Sequence, residues 1–330
     1  MPDLPSTSSP AFIVTPFKPA WWCRNRHLQT LLPQLRIWPR PEYQREVVDL
    51  PDGDFVDLDW LHAKKKPTSI VILIHGLGGS SRSSYIRSLA TTLKKSNMTT
   101  AVINLRGCSG RPNRRAKTYH SGHTEDLHFI ASKLRKKYPN TPIFAVGFSL
   151  GGNALLKWLG EDSASIEIDG AIAVSVPFVL SAAAEYMKRG FSTIYQNKLV
   201  TDLKQSARNR KALFLGKIDY EHLESYRDFP TFDHQVTAPI NGFYNGEDYY
   251  KTSSCRQYLK NIQTPTLIIH SKDDPFMPSN VVPDQYELGT GVTLNVYEKG
   301  GHVGFIGRTH LGYFWLNNAV SEYIFKSVKY

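Results

Sequence analysis

Three short segments of this 330-residue chain carry residue types that together could perform acyl transfer. The first is Gly147-Phe148-Ser149-Leu150-Gly151, between the apolar run Ile143-Phe144-Ala145-Val146 and a helix-like run, Gly152 to Leu159. A Gly-x-Ser-x-Gly at a strand-to-helix joint forces its serine into strained backbone angles. The flanking glycines let strand and helix approach, and the hydroxyl is lifted above the sheet. A serine alone is a weak nucleophile and needs a base, which in turn needs an orienting acid. Behind the strand Thr266–Ile269 comes His270-Ser271-Lys272-Asp273-Asp274-Pro275-Phe276-Met277-Pro278, where Asp273 and Asp274 compete for the acid role. Behind the strand Val292–Tyr297 comes Glu298-Lys299-Gly300-Gly301-His302-Val303-Gly304-Phe305, which offers His302 as the base. The order nucleophile, acid, base, each in a loop after a strand, suits a serine hydrolase.

An acyl-transfer site also needs donors for the developing oxyanion. The N–H of Leu150, directly after the serine, is one. The other is expected from His75-Gly76-Leu77-Gly78-Gly79 after the first central strand, with Leu77 N–H as the donor and His75 bracing the loop. That loop lacks the glycine spacing of either nucleotide-phosphate motif. His120, His123 and His128 have no partner spacing for a metal and read as solvated or loop-bracing residues, so neither metal nor cofactor is expected. Cys108 beside a complete serine set reads as loop packing.

The elements that would hold these loops alternate. Arg45–Leu50 and Asp54–Leu61 around Pro51-Asp52-Gly53 read as a hairpin. Ser69–Ile74, Thr99–Asn104, Ile143–Val146, Ile168–Val176, Thr266–His270 and Val292–Tyr297 read as strands. Helices are expected over Ser84–Lys95, Glu125–Tyr138 and Thr309–Lys326. Repeated strand–helix units require a mostly parallel sheet with right-handed crossovers and helices on both faces. Nearly ninety residues separate the strands ending at Val176 and starting at Thr266. Their many Tyr and Phe residues suggest a mainly helical cap over the carboxyl ends of the strands.

Composition, at 41% hydrophobic and 21% charged, is that of a soluble globular protein. The three cysteines, Cys23, Cys108 and Cys255, lie far apart and suit free thiols in a reducing compartment. The first ten residues are polar, with no basic stretch leading into an apolar one, so no secretory signal is inferred and a cytoplasmic location is expected. Forty Lys and Arg against 29 Asp and Glu give a net charge of +11. The basic residues are scattered and no nucleic-acid fold accompanies them, so solvated surfaces are expected and no nucleic-acid partner. Attraction to an anionic membrane surface is the milder consequence left open. Trp21-Trp22 is read as packing of an N-terminal arm.

The chain resembles the YheT-like branch of the α/β-hydrolase superfamily, the AB hydrolase 4 group of esterases and lipid hydrolases. The resemblance rests on Pro19-Ala20-Trp21-Trp22 through His27-Leu28-Gln29-Thr30, His75-Gly76-Leu77-Gly78-Gly79, Asn104-Leu105-Arg106-Gly107-Cys108-Ser109-Gly110, the Ser149 turn with Gly152-Asn153, and the two loops around Asp274 and His302. It implies an α/β-hydrolase fold and a Ser149–Asp274–His302 triad cleaving carboxylic esters, from short-chain esters to acylglycerols and phospholipids. Acid loops of that fold commonly run Asp, three residues, Pro. Asp274 with Pro278 fits, which leaves Asp273 a turn residue. Arg106 to Gly110 would line the pocket. Eukaryotic members often carry an N-terminal membrane anchor; this chain looks more like the soluble bacterial ones. The expected organisation is an arm over 1–45 packed on the core, a core over 46–177 and 265–330, and a helical cap over 178–264. Two other readings are weighed: an acyltransferase that passes the same acyl group to an alcohol, and a silent binding protein on a hydrolase scaffold.

Overall fold

The computed structural model describes residues 14–35, 40–308 and 315–329. Residues 1–13, which include the polar first ten, and the start expected at Thr309 for the last helix lie outside them.

Short, uninterrupted apolar runs dictate strands buried on both faces, because only a sheet covered on two sides can use them. The strands are β1 (Gln44–Asp49), β2 (Phe55–Leu61), β3 (Ile70–Ile74), β4 (Thr99–Asn104), β5 (Ile143–Phe148), β6 (Gly170–Val174), β7 (Thr266–Ser271) and β8 (Val292–Tyr297). They form one sheet in the order β1-β2-β4-β3-β5-β6-β7-β8. The expected hairpin makes β1 and β2 antiparallel at one edge, and β3 to β8 run parallel. Two strands differ from expectation by more than one residue at an end. β5 continues two residues further, because its ladder with β6 runs on to Phe148 opposite Val174. β6 is shorter, because Ser175 turns to a φ of 53° and takes the chain out of the sheet.

The amphipathic helix α3 (Glu125–Lys137) and the almost wholly buried α4 (Leu150–Glu161) pack on one face; Ile130, Ala131 and Leu134 join Ile72, Ala145 and Ile268 in one apolar core. Helix α2 (Ser84–Lys95) and the last helix, Trp315–Lys329, cover the other, where Leu89, Leu93, Val320 and Ile324 meet Val102, Val146 and Ile172. The cap has a cluster of its own, built from α5 (Leu180–Tyr186), α6 (Ser192–Asn209), Phe229, Phe232 and Tyr249. Cys255, Leu259 and Ile262, just before β7, pack instead with the core cluster that includes α4.

Several of the scattered arginines prove to be neutralised. Arg111 meets Asp57, Arg114 meets Asp49, and Arg135 meets Asp169. Buried Arg106 forms a two-pronged bond with Asp126 at 2.8 and 2.7 Å and also reaches Asp52 and Asp54.

Candidate active site

Ser149 sits at the sharp joint between β5 and α4 with φ 51° and ψ −120°, a conformation that costs a non-glycine residue of order 1–3 kcal/mol. Close packing imposes the turn. A Cβ on Gly147 would lie 2.5 Å from Gly151 O, and one on Gly151 would lie 2.4 Å from His75 O. Only glycines permit both approaches. Ser149 N–H donates to Val174 O at 2.9 Å, which anchors the turn to β6.

The loop after β3 is held from three sides. Tyr85 OH accepts from Gly76 N–H at 2.9 Å, Tyr119 OH from Gly78 N–H at 2.8 Å, and Gly76 O from Gly79 N–H at 3.0 Å. Leu77 N–H has no acceptor among the described residues. His75 does brace this loop: its Nδ1 contacts Gly76 O at 2.8 Å and its Nε2 accepts from Leu105 N–H at 3.1 Å. Burial pushes its imidazole down to about 4, so it stays neutral. Leu77, Leu150 and Ser149 line the same cavity of about 140 Å³.

Asp274 is buried and bonds His302, its Oδ2 lying 2.8 Å from Nδ1, while its Oδ1 accepts from Phe276 N–H at 2.8 Å. Asp273 is used differently. Its Oδ1 accepts from Gly301 N–H at 3.0 Å and so steadies the backbone of the histidine loop. The His302 ring stacks flat on Phe276, with centroids 3.9 Å apart and planes 8° from parallel, and Phe276 lines the cavity with Ser149. No hydrogen bond joins His302 to Ser149 Oγ among the described residues, and His302 itself does not line the cavity.

Nothing in the histidine loop's own sequence explains how it is held. Val303 has φ 57° and Phe305 φ 46°, and a β-branched residue rarely adopts such an angle. Val303 N–H donates to Ser175 Oγ at 2.9 Å. His302 N–H donates to Thr30 Oγ1 at 2.9 Å, from helix α1 (Arg26–Leu35). Gln29, fully buried, accepts from Ile306 N–H at 2.5 Å and donates to Ile306 O and Cys23 O at 3.0 and 2.6 Å. The His-Leu-Gln-Thr segment of the arm is thus a clamp on the loop that carries His302, a role that spacing alone did not reveal. Exchanging Thr30 for valine keeps the shape and leaves the His302 amide without its acceptor. We expect an about tenfold fall in kcat at nearly constant KM, with a stability loss of about 1–2 kcal/mol in urea unfolding.

The resemblance placed Arg106 to Gly110 at the pocket, and the structure corrects this. Arg106 points into the carboxylates Asp52, Asp54 and Asp126, and the lining of the cavity includes none of the five. Burial pushes the Cys108 thiol up to about 12, which does not suit a nucleophile. His120 lines the cavity, and its Nδ1 accepts from Gly122 N–H at 3.1 Å; His123 Nε2 lies 3.1 Å from Asp126 Oδ1. Sequence reasoning missed two further cavity residues, both from the cap. Asp233 accepts from the Thr237 and Tyr250 hydroxyls at 2.6 and 2.7 Å, and burial pushes its carboxyl up to about 6. Arg210 is the other. Most of the remaining wall is apolar and comes from the cap, with Leu180, Met187, Leu199, Phe214 and Phe232 among its side chains, while Thr118, Ser121, Thr237 and Tyr249 add polar ones.

The sequence profile of the family described as the alpha/beta hydrolase fold matches residues 69–309, spanning β3 to the His302 loop. YheT of Escherichia coli (strain K12) is 41% identical over 91% of this chain and 90% of its own length. The chain is a YheT-like α/β-hydrolase. Further relatives of this hydrolase are "Phospholipase ABHD3" of Homo sapiens, 30% identical over 88% of this chain and 73% of that protein, and "Monoacylglycerol lipase" of Saccharomyces cerevisiae. The yeast lipase is 32% identical over 72% of this chain but only 54% of its own length. Among solved structures, the Pyrococcus furiosus esterase Pf2001 superposes with a TM-score of 0.58 at 19% identity, covering 86% of this chain and 91% of the other. That likeness speaks for the fold.

Proposed function

We propose that this hydrolase cleaves carboxylic esters through an acyl-enzyme on Ser149, with His302 as base and Asp274 as the acid that orients it. Asp274 accepts from His302 Nδ1–H and leaves Nε2 free to receive a proton. His302 Nε2 takes the Ser149 Oγ proton as Oγ attacks the ester carbonyl. The tetrahedral oxyanion is met by Leu77 N–H and Leu150 N–H, the second reinforced by the N-terminus of α4. His302 then gives its proton to the departing alkoxide, and an acyl group remains on Oγ. A water deprotonated by the same Nε2 releases the carboxylic acid and restores the serine.

The Asp274–His302 bond at 2.8 Å carries this reading, because it joins the loops after β7 and β8, and Phe276, stacked on His302, lines the cavity that holds Ser149. The substrate class we propose is short- to medium-chain acyl esters or acylglycerol-type lipids. Its supports are the apolar cavity under the cap and the lipid esters named in two relatives. Across a p-nitrophenyl ester series, kcat/KM should be highest from butyrate to octanoate and about tenfold lower on palmitate, which outgrows the cavity. A flat series would remove the cavity from the account.

We further propose peripheral contact with an anionic membrane. Trp21, expected from sequence to pack the arm, is instead 81% exposed, and with Leu28, Leu31 and Leu35 it presents apolar surface around α1 beside Arg24. No helix among the described residues is long and apolar enough to cross a bilayer. A cytoplasmic location fits the three free thiols.

A further inference from the structure

One wall of the cavity is out of keeping with the rest. Arg210, one residue beyond α6, lines the cavity that holds Ser149 although the side chain is only 9% exposed. Two of its nitrogens are fixed one turn back on the cap helix: Nε donates to Ser206 O at 3.2 Å and Nη2 to Ser206 Oγ at 2.7 Å. The guanidinium also lies over the Phe214 ring, 5.2 Å from its centre. Its third nitrogen, Nη1, is buried with no hydrogen-bond acceptor among the described residues.

Nor does a carboxylate neutralise it among the described residues. Asp54, the acid whose field reaches Arg210, is already bonded to Arg106, Asn113 Nδ2 and Arg114 N–H. Asp233, the acid in the cavity wall, is occupied by Thr237 and Tyr250. The core makes room for the cation: a Cβ on Gly107 would stand 2.6 Å from Nη1. Gly107 thus yields space behind Arg210 while staying outside the cavity lining.

A buried guanidinium with no counter-ion is costly, because desolvation of the charge is repaid only by a bonded anion. In a pocket walled mostly by apolar side chains it discriminates strongly, since it can pair with an anionic ligand group in a low dielectric. We propose that the cavity selects esters that carry an anionic group, a carboxylate or a phosphate, and that Arg210 binds that group. This inference rests on the reading of Ser149 as the nucleophile of the same cavity. Arg210 acts on binding and specificity and takes no part in the bond-breaking steps.

Binding to the Ser149→Ala protein separates the two ideas, because no turnover is needed. Calorimetry would compare 1-butyrylglycerol 3-phosphate with 1-butyrylglycerol, and monoethyl adipate with diethyl adipate, so that the two pairs distinguish phosphate from carboxylate. The anionic member of at least one pair should bind tenfold or more tightly than its neutral partner. Adding Arg210→Gln should erase that gap, and Arg210→Lys, which keeps the charge and loses the fork, should retain part of it. Equal Kd values within both pairs, with Arg210 intact, would overturn the proposal even if the glutamine variant did not fold. So would a gap that persists in Arg210→Gln. Hydrolysis of neutral p-nitrophenyl butyrate by the unsubstituted chain reports separately on the acyl-enzyme reading.

Discussion

Replacing Ser149 with alanine lowers kcat on p-nitrophenyl butyrate by about 10⁴- to 10⁶-fold, leaving the slow background that an oxyanion site and binding alone provide. The loss is large because members of a nucleophile–base–acid set act as a unit. With Oγ removed, His302 has no hydroxyl to deprotonate, and no covalent intermediate forms. A stability measurement adds an independent check on the geometry. Ser149 holds φ 51° in the described structure, so Ser149→Gly, equally inactive, should be more stable than Ser149→Ala by about 1 kcal/mol. An alanine variant that kept activity within tenfold of the unsubstituted chain would put the chemistry elsewhere.

The second large effect separates two adjacent aspartates. Asp274→Asn should cost about 10⁴-fold in kcat with KM little changed, because an amide in place of the carboxylate no longer stabilises the imidazolium and favours the wrong imidazole tautomer. Asp273→Asn should cost far less, about tenfold, since Asp273 steadies only the Gly301 amide of the histidine loop. The two kcat values, measured side by side with His302→Ala as the reference for a lost base, decide the assignment. If Asp273→Asn proved the more damaging, the acid role would pass to it.

Much of the frame was legible from local pattern. The apolar runs at Ile70–Ile74 and Thr266–His270 are too continuous for one-sided strands, and the stripe Leu127, Ile130, Ala131, Leu134 leaves a helix one face to bury. Ser149, Asp274, His302, Leu77 and Leu150 could be nominated from sequence because each lies just beyond a strand end, among residue types that announce the local geometry. What was not legible depends on pairs far apart in the chain. Thr30 meets His302 across more than 270 residues, and no periodicity records that contact. The cap reads as aromatic and helical, but which of its polar side chains turn inward is settled by packing, so the sequence does not single out Arg210 or Asp233. Arg106 misled for the opposite reason. An arginine in a loop after a central strand looks like a pocket residue, yet three carboxylates, two of them from the hairpin end and one from α3, draw it the other way.

All of these expectations depend on a hydroxyl made reactive at one bend of the backbone. The most direct test is reaction of the whole protein with a fluorophosphonate, followed by peptide mapping of the adduct by mass spectrometry. The account predicts a single phosphonylated residue, Ser149, appearing in step with loss of esterase activity and absent from Ser149→Ala. A stoichiometric adduct on a different residue, or full esterase activity with Ser149 occupied, would contradict it.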